Sequence, residues 1–372
     1  MSIQITSAFD GGNIRLVSVD GDRVDLEIVK DKDSDFFQWF YFRVAGAKGR
    51  TLTFRILNAG KSAYPFGWPG YKTRVSTDRE SWPVTETDYS DGVLRFSHDF
   101  STDMAWFAYF APYTVERHNQ LVADMALKDG VSHAELGKTL DGRSLDYLTV
   151  GNGPKQVWLY ARQHPGESMA EWWMEGALEK LTDPDDDTAK ALRQKATLHI
   201  IPNMNPDGSY RGHLRTNAVG TNLNREWDTP TMEKSPEVFL VKAKMDETGV
   251  DVAMDIHGDE AIPANFLAGF EGIPSWTDTL GDKFTDYARR LEAATPEFQT
   301  KEGYDKAAPG KANLSMSTNQ MAERYGALSM TLEMPFKDHD PNADAKFAWS
   351  PERCKRLAHA GLDVLADMID DI

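Results

Sequence analysis

The sequence predicts an α/β fold, in which a mixed sheet has helices on both faces, preceded by an antiparallel β-sandwich domain. Three observations carry this prediction. The chain has 372 residues, and since a domain usually takes about 100–200 residues, two domains are expected. Short strand-like segments fill the chain up to about residue 115. Beyond that point, apolar runs alternate with longer segments of helical period, which is typical of a sheet covered by helices.

We place the N-terminal domain at residues 1–115 and the second domain at 116–372, with the boundary in the stretch Tyr113–Asn119. In the first domain, segments rich in β-branched and aromatic residues are separated by turn-forming residues, as in antiparallel sandwiches. The aromatic stretches Phe37–Phe42 and Tyr64–Tyr71 could form a ligand-stacking surface, but at strand spacing they favour a core. The strand segments are NIRLVSV, RVDLEIV, FQWFYFRVA, TLTFRIL and GVLRFS.

In the second domain, strand-like and helical segments alternate. Helical period predicts helices near Ser168–Leu181, Ser235–Glu247, Thr277–Ala294 and Pro351–Met368. The strand candidates are QVWLYARQ, TLHIIPNMN, VDVAMDIHG, ANFLAGF and ALSMTLEMPF.

Charge and composition exclude several classes of function. The chain has 41 Lys and Arg against 58 Asp and Glu, a formal charge of −17, which would repel nucleic acid and anionic membranes alike. The sequence has no secretory leader pattern and no long apolar run, so a cytoplasmic protein is expected. A single cysteine, Cys354, excludes an internal disulfide and any CxxC motif. Its place on a predicted charged helix favours a structural thiol over a nucleophile.

Histidine and glutamate residues follow two predicted strands. His164 and Glu167 lie three residues apart after QVWLYARQ, and His257 ends the apolar run VDVAMDI. Because ligands gather at the carboxyl ends of strands in open α/β sheets, these side chains are expected to meet. Two imidazoles and one carboxylate leave the fourth position of a tetrahedral zinc open for water, which is typical of a catalytic site. Asp255, on the same strand, either orients a ligand imidazole or is a solvated carboxylate.

A further glutamate interrupts the last predicted strand. Glu333 lies within the apolar run ALSMTLEMPF, which has no basic residue to pair with it. A buried carboxylate is costly unless it is paired or used, so Glu333 is a candidate general base for the attacking water. The alternative is a glutamate that faces solvent at an edge.

Three arginines, Arg211, Arg215 and Arg225, lie in the glycine-rich stretch that follows TLHIIPNMN. A guanidinium matches a carboxylate bidentately and stabilises a developing oxyanion. Together they predict a positive subsite beside the metal.

A series of short motifs resembles the zinc metallocarboxypeptidase family that includes carboxypeptidase A. The stretch APYTVERH and the β-rich N-terminal region make the chain more similar to the cytosolic carboxypeptidase branch, which contains the tubulin deglutamylases and their bacterial relatives. The motifs, in chain order, are HPGES, IIPNMNPDG, GHLR, TNLNREW, DIHGDE and TLEMPF.

The resemblance implies a role for each matching residue. It places one zinc ion per chain on His164, Glu167 and His257, in agreement with the ligand chemistry above. It implies that Glu333 is the catalytic glutamate and that Arg215 polarises the scissile carbonyl. The Asn-Arg pair that grips the substrate's C-terminal carboxylate matches the following residues: Asn224 and Arg225.

At three points the sequence matches the family pattern less closely than at the motifs above. Gly212-His213 stands where the branch often has Gly-Asn. Tyr304 is a candidate for the substrate-capping tyrosine. The resemblance to the deglutamylase branch also implies a basic residue that binds the acidic side chain of the substrate's C-terminal residue. The candidates are Lys301, Lys306, Lys311 and Arg324, and of these we choose Lys311.

The sequence thus predicts a zinc carboxypeptidase that acts on the C-terminus of peptides or proteins, with a preference for glutamate. Two alternatives remain at this point. One is an aspartoacylase-like zinc amidohydrolase of small N-acyl amino acids, and the other is a catalytically silent binding protein. The sequence gives no oligomeric state.

Overall fold

Ten short strands precede the first α-helix in the computed structural model, which describes residues 3–372. In β3, β5 and the first half of β9, buried residues alternate with more exposed ones, as a half-buried strand requires. The strands are β1 (Gln4–Thr6), β2 (Arg15–Asp20), β3 (Arg23–Glu27), β4 (Tyr41–Ala45), β5 (Thr51–Ile56), β6 (Thr73–Ser76), β7 (Val84–Thr85), β8 (Thr87–Ser90), β9 (Val93–Asp99) and β10 (Met104–Ala108).

These strands form two five-stranded sheets, in the orders β1-β4-β10-β6-β7 and β2-β3-β5-β9-β8. Stacked and tilted aromatic rings fill the space between them, with Phe107 only 4.8 Å from Phe54 and 5.3 Å from Phe42 between ring centroids. The Phe37–Phe42 stretch is buried, which confirms that it belongs to the core. One pair departs from the antiparallel prediction: β3 and β5 are parallel. The chain crosses to the other sheet through β4 before β5 returns beside β3, and this crossover makes the two strands run in the same direction.

The remaining chain alternates helices and strands, as predicted. Its elements are α1 (Val115–Ala126), β11 (Val131–Lys138), β12 (Ser144–Val150), β13 (Lys155–Ala161), α2 (Met169–Leu181), α3 (Asp187–Lys195), β14 (Ala196–Ile201), α4 (Pro206–Arg211), α5 (Pro236–Thr248), β15 (Val252–Asp259), β16 (Phe266–Ala268), α6 (Asp278–Ala294), α7 (Ser317–Tyr325), β17 (Leu328–Pro335) and α8 (Pro351–Met368).

Strands β11 to β17 form one mixed sheet in the order β11-β12-β14-β13-β15-β17-β16. Alternate residues of β13 reach different cores. Val157 and Leu159 pack in the core that holds α2 and α8, whereas Trp158 and Tyr160 pack in the core that holds α5. Both faces of the sheet are therefore covered, which confirms the predicted fold class.

The four predicted helices are α2, α5, α6 and α8, and each begins within one residue of its predicted start. Their N-termini carry the expected signals. Pro236 and Pro351 occupy the first turns of α5 and α8, where proline lacks only an N–H that would be unsatisfied anyway. The side chain of Thr277 caps α6 by accepting a hydrogen bond from the N–H of Leu280.

The sandwich packs directly on the α/β sheet and its helices. The guanidinium of Arg74, on β6, is buried and donates to the main-chain oxygens of Lys337 and Trp349 at 3.1 and 3.2 Å. The carboxylate of Asp10 accepts the N–H of Glu116 in the first turn of α1. Extensive buried contact thus joins the two parts. The domain boundary at residue 115 stays a prediction.

Two further features agree with the sequence analysis. Cys354 is buried in α8, and burial raises the pKa of its thiol, so a structural role fits it. None of the helices in residues 3–372 combines the length and the apolar character needed to cross a membrane.

A buried ionic cluster links α1 to α2 and β12. His118 is 2% exposed, and its two ring nitrogens lie 2.7 Å from Glu171 Oε1 and 3.1 Å from Asp146 Oδ2. Burial opposes the charged imidazolium, but the carboxylates of Glu171 and Asp146 outweigh it and raise the pKa of His118 to about 9. The imidazolium therefore stabilises the folded chain.

We expect the contribution of His118 to the free energy of unfolding to be lost at alkaline pH. A group whose pKa is raised by folding stabilises fully below its unfolded pKa, and this stability is lost as the pH rises through about 9. The shift corresponds to roughly 3 kcal/mol of unfolding free energy between about pH 6.5 and 9.5. Urea titrations across this range should show that loss in the wild type and a flatter pH dependence in His118→Gln. Equal pH dependence in both proteins would contradict the assignment.

Candidate active site

Three neighbouring parallel strands end at one edge of the sheet, and each supplies a candidate residue. The segment after β13 holds His164 and Glu167, β15 holds His257 and β17 holds Glu333. His257 and Glu333 are register partners in adjacent strands. The turn after β13 must approach the next loop closely, because a Cβ at Gly166 would lie 2.9 Å from the main-chain oxygen of Leu214.

His164, Glu167 and His257 converge in a buried cluster. The Nδ1 atoms of His164 and His257 lie 2.7 Å from Glu167 Oε1 and Oε2 respectively, and 3.2 Å from each other. All three residues are at most 4% exposed. One ligand atom from each lies within 4.8 Å of the other two. Such close donor atoms fit a single metal ion.

The outer nitrogens of both imidazoles are also held. His164 Nε2 lies 3.0 Å from the amide oxygen of Asn222, and His257 Nε2 lies 2.8 Å from Asp255 Oδ1. The other oxygen of Asp255 accepts hydrogen bonds from Gln163 and from the hydroxyl of Ser317. The outward hydrogen bond of His164 fixes the orientation of its ring, the carboxylate of Asp255 lies against Nε2 of His257, and Nδ1 of each ring is left for a metal.

Two of the three cluster residues, His164 and Glu167, are in the forms that bind a cation. Burial, with a contribution from Arg215, lowers the pKa of His164 to about 4, so its imidazole is neutral at pH 7. Burial opposes ionisation of Glu167, but His164 and His257 outweigh this and lower the pKa of its carboxyl. A neutral imidazole and a carboxylate are the forms in which these side chains bind metals. Burial opposes the charged form of His257, but the carboxylates of Asp255 and Glu167 outweigh it and raise the pKa of this imidazole, so a metal ion bound there would displace a proton. Two imidazoles and one carboxylate suit zinc, and the residues present fit that ion.

Glu333 is buried beside this cluster, 7% exposed. Its Oε2 atom has no hydrogen-bond partner among residues 3–372. Burial raises the pKa of its carboxyl, and the neighbouring carboxylate of Glu167 adds to this effect. The structure therefore excludes the alternative in which Glu333 faces solvent. A nearby cation would oppose the rise in pKa and favour the charged, proton-accepting form.

Arg215 lies between two aromatic rings of the N-terminal part. Its Cζ atom is 5.5 Å from the ring centroids of both Phe36 and Tyr64. Burial alone would lower the pKa of Arg215, but Tyr64 and Glu167 act against burial and raise it. Its guanidinium forms no ion pair with any carboxylate in the described chain.

Asn224 and Arg225 lie in a short turn of 3₁₀-helix, 223–225, after Asn222. The amide oxygen of Asn224 accepts the N–H of Ser317 at 2.9 Å, so its NH₂ group is left to donate elsewhere. Burial and the positive charge of Arg215 both lower the pKa of Arg225. Two like charges held close together, neither in an ion pair with a carboxylate of the described residues, favour an anionic ligand.

One of the three predicted arginines does not belong to this subsite. Arg211 forms a bidentate pair with Asp141, with both contacts at 2.7 Å. It ends the short helix α4, and Gly212 follows in the left-handed conformation, with φ of 68°. The chain turns at the end of this helix, so Arg211 lies against Asp141 whereas Arg215 lies between the rings of Phe36 and Tyr64.

His213, which departs from the family pattern, fits the loop. Its Nδ1 donates to the main-chain oxygen of Thr216 at 2.9 Å. Its Nε2 accepts the N–H of Lys32 at 3.1 Å. The histidine thus joins the loop to the N-terminal part.

Tyr304 lies near the site, half exposed. Its hydroxyl donates to Asp259 Oδ2 at 2.7 Å, and its ring packs edge-on against Phe266, the register partner of Glu333. Lys311 is exposed, and its side chain makes no hydrogen bond or ion pair with a site residue in the described chain.

Sequence reasoning missed several neighbours of the site. Asn222 carries no signal of its own beyond its place in TNLNREW, and Phe36 immediately precedes the stretch Phe37–Phe42 that was predicted as core. Tyr64 opens the aromatic stretch Tyr64–Tyr71, one of the two for which the sequence analysis weighed a ligand-stacking surface.

A buried His-Glu-His cluster, an unpartnered carboxylate and unpaired guanidinium groups define the class of protein, a metal-dependent hydrolase. The family comparisons agree with the geometry. Residues 5–110 match the N-terminal domain of cytosolic carboxypeptidases, and residues 120–267 match the zinc carboxypeptidase domain. The chain belongs to the zinc carboxypeptidase family, in the branch that carries this N-terminal domain. It is a metallocarboxypeptidase, and the family implies zinc.

Solved structures share the whole fold. A metallo-carboxypeptidase from Pseudomonas aeruginosa, in complex with (2-guanidinoethylmercapto)succinic acid, is 43% identical, with a TM-score of 0.97 over 99% of each chain. A metallo-carboxypeptidase from Burkholderia cenocepacia is 40% identical, with a TM-score of 0.97 over 100% of each chain. Human cytosolic carboxypeptidase 1 is 28% identical over 64% of this chain, which spans only 24% of that protein's length.

We expect zinc binding to depend on the three clustered side chains. Elemental analysis of the purified protein should give close to one zinc per chain, because only one such cluster occurs among the described residues. His164→Ala and His257→Ala should each lose most of it, since each removes one of three protein ligands.

His359→Ala is the matched control, because the side-chain hydrogen bond that His359 forms in the described chain joins α8 to the main-chain oxygen of Gly176 in α2 and involves no metal-ligand residue. It should keep its zinc. Full zinc in both ligand variants would contradict the assignment of the ligands.

Proposed function

We propose that this protein removes the C-terminal residue of peptides or proteins by hydrolysis. The observation that carries the proposal is the neighbouring pair of guanidinium groups, Arg215 and Arg225, which lie near the metal-ligand cluster and form no ion pair with a carboxylate among residues 3–372. The free C-terminus of a substrate supplies a carboxylate that can pair with a guanidinium. An internal peptide bond supplies none, so the site favours cleavage at the C-terminus over cleavage within a chain.

His164, Glu167 and His257 would hold one zinc ion, which, when bound, acts as a Lewis acid and makes water more acidic. Glu333 provides the proton transfer. Its free Oε2 accepts a proton from the attacking water and later delivers it to the leaving amine. The carboxylate is thereby restored, and the products are a shortened peptide and a free amino acid.

The arginines and Asn224 orient the substrate. Arg225 and the free NH₂ group of Asn224 bind the terminal carboxylate. Arg215, held between aromatic rings, donates to the oxygen of the scissile carbonyl as negative charge develops there. Tyr304 covers the bound C-terminal residue, a role supported by its half-exposed ring beside the register partner of Glu333.

Several observations favour the peptidase over the alternatives. The chain aligns from end to end with two metallo-carboxypeptidases, and its N-terminal part matches that of cytosolic carboxypeptidases. Similarity over the whole length favours an activity of the same kind over an aspartoacylase-like one. The clustered His164, Glu167 and His257, with the unpartnered Glu333, argue against a silent binding protein.

The first test compares a peptide with a free C-terminus and the same peptide with a C-terminal amide. Mass spectrometry should show stepwise trimming of the free acid only, because the amide lacks the charge that Arg225 and Asn224 bind. Release of acids from small N-acyl amino acids without peptide trimming would instead support the amidohydrolase.

Glu333→Gln is the matched control for that experiment. It keeps the shape of the side chain and the zinc ligands but cannot accept a proton, so trimming should fall by about 10²–10⁴-fold while zinc is retained. Near-normal trimming in this variant would remove Glu333 from the mechanism.

We further propose a preference for glutamate at the C-terminus, supported by the resemblance to the deglutamylase branch. In a protein with a net charge of −17, such a preference must come from a local basic group, since long-range attraction of an acidic chain is opposed. Lys311 is our candidate for this basic group.

The names of the cytosolic relatives also support a cytoplasmic location for this protein.

We expect peptides that end in Glu to be trimmed roughly a hundredfold faster than those that end in Gln, a factor typical of a desolvated ammonium–carboxylate contact. Lys311→Ala should narrow this gap in kcat/KM. Lys306→Ala is the matched control, because Lys306 already pairs with Glu271 at 2.9 Å. A preference for aromatic or basic C-termini would refute the glutamate preference and leave the carboxypeptidase activity standing.

A further inference from the structure

A buried carboxylate of the N-terminal part, that of Asp31, accepts hydrogen bonds from the loop that carries Arg215. Asp31 is 2% exposed and lies in the turn after β3. It accepts main-chain N–H groups from Leu214 at 2.7 Å, Arg215 at 2.8 Å and Thr216 at 2.9 Å. The hydroxyl of Thr216 donates a fourth hydrogen bond at 3.0 Å. All four donors are more than 180 residues away in sequence.

No lysine or arginine pairs with Asp31 among residues 3–372, so its charge is balanced by these four donors. Hydrogen bonds to a charged acceptor are about twice as strong as neutral ones. Three consecutive N–H groups bound to one carboxylate leave the main chain at Arg215 little freedom to rotate.

Other contacts from the N-terminal part hold the same loop. In the turn after β3, the N–H of Lys32 donates to the ring of His213, and Asn13, in the segment before β2, donates to the main-chain oxygen of Gly212. The N–H of Asp31 donates to the main-chain oxygen of Phe36, whose ring faces the Arg215 guanidinium. One short segment thus holds both the main chain and the side chain of Arg215.

We propose that Asp31 is a positioning residue for the reaction, which it serves by fixing the direction of the Arg215 guanidinium. This inference rests on the proposed function, in which Arg215 stabilises the charge that develops on the scissile carbonyl. Asp31 itself touches no substrate. The N-terminal part is therefore a component of the catalytic site, because the α/β domain alone lacks the acceptor that orders the loop.

Asp31→Asn tests the proposal. An amide cannot accept with its nitrogen, so at least one donor among residues 214–216 loses its partner. Displacement of a catalytic group by about 1 Å costs up to about 10²-fold in rate. We expect kcat for a free-acid peptide to fall about tenfold or more, with KM changed less than about twofold, since Arg215 acts on the transition state.

A double-mutant cycle separates positioning from a general structural effect. In an Arg215→Ala background, the Asp31→Asn change should lower kcat by less than about twofold, because the group that it positions is already gone. If the two effects on kcat multiply, Asp31 does not act through Arg215, and the proposal is wrong.

Hydrogen exchange supplies a readout that needs no activity. Amide exchange in the segment 212–217 of the metal-free protein should become at least about tenfold faster in Asp31→Asn. Asp10→Asn is the matched control, because Asp10 also accepts a main-chain N–H across the two parts, at Glu116. It should leave both kcat and exchange in this segment unchanged.

Thr216→Val keeps the test decisive if Asp31→Asn does not fold. It removes only the hydroxyl hydrogen bond to Asp31 and should lower kcat by about two- to fivefold with zinc retained. Unchanged exchange in Asp31→Asn, or unchanged kcat in both folded variants, would overturn the proposal. A wild type that trims no peptide would instead refute the proposed function, and the exchange result would still report whether Asp31 orders the loop.

Discussion

The burial of charged groups at one edge of a sheet is the constraint on which the rest of this structure depends. His164, Glu167, His257 and Glu333 come from the ends of three adjacent parallel strands and are almost wholly removed from water. Buried charges are costly unless they are paired or bind a metal. The contacts of the two imidazoles with Asn222 and Asp255 supply polar partners for their outer nitrogens. A metal ion would supply the partner that the inner nitrogens and the carboxylate of Glu167 need.

The positive side of the site is organised differently from the negative side. Arg215 and Arg225 form no ion pair with a carboxylate in the part of the chain that the structure describes. Arg215 lies between two aromatic rings instead, and Arg225 donates to the main-chain oxygen of Asn224. A carboxylate partner would neutralise them before a substrate arrived. Aromatic faces stabilise a guanidinium while its N–H groups remain free to donate. In a chain with a net charge of −17, this small positive region is a local property of the fold.

The N-terminal sandwich takes part in this arrangement. Its turn after β3 supplies Asp31 and Phe36, and its aromatic turn supplies Tyr64. The segment Leu214–Thr216 has no regular secondary structure, so its main-chain N–H groups need partners from elsewhere. The sandwich provides those partners. This dependence is a physical reason for the two parts to occur in one chain.

The sequence by itself determined the fold class, the four long helices and the residues of the His-Glu-His cluster, because strand ends and helical period are local patterns. It also singled out Glu333, since a glutamate in an apolar strand is conspicuous without any structure. Only the tertiary structure decided that Arg211 pairs elsewhere and that Asp31 lies on the Arg215 loop. These contacts join residues 70 and 184 positions apart through polar side chains that follow no period, so no local pattern could indicate them.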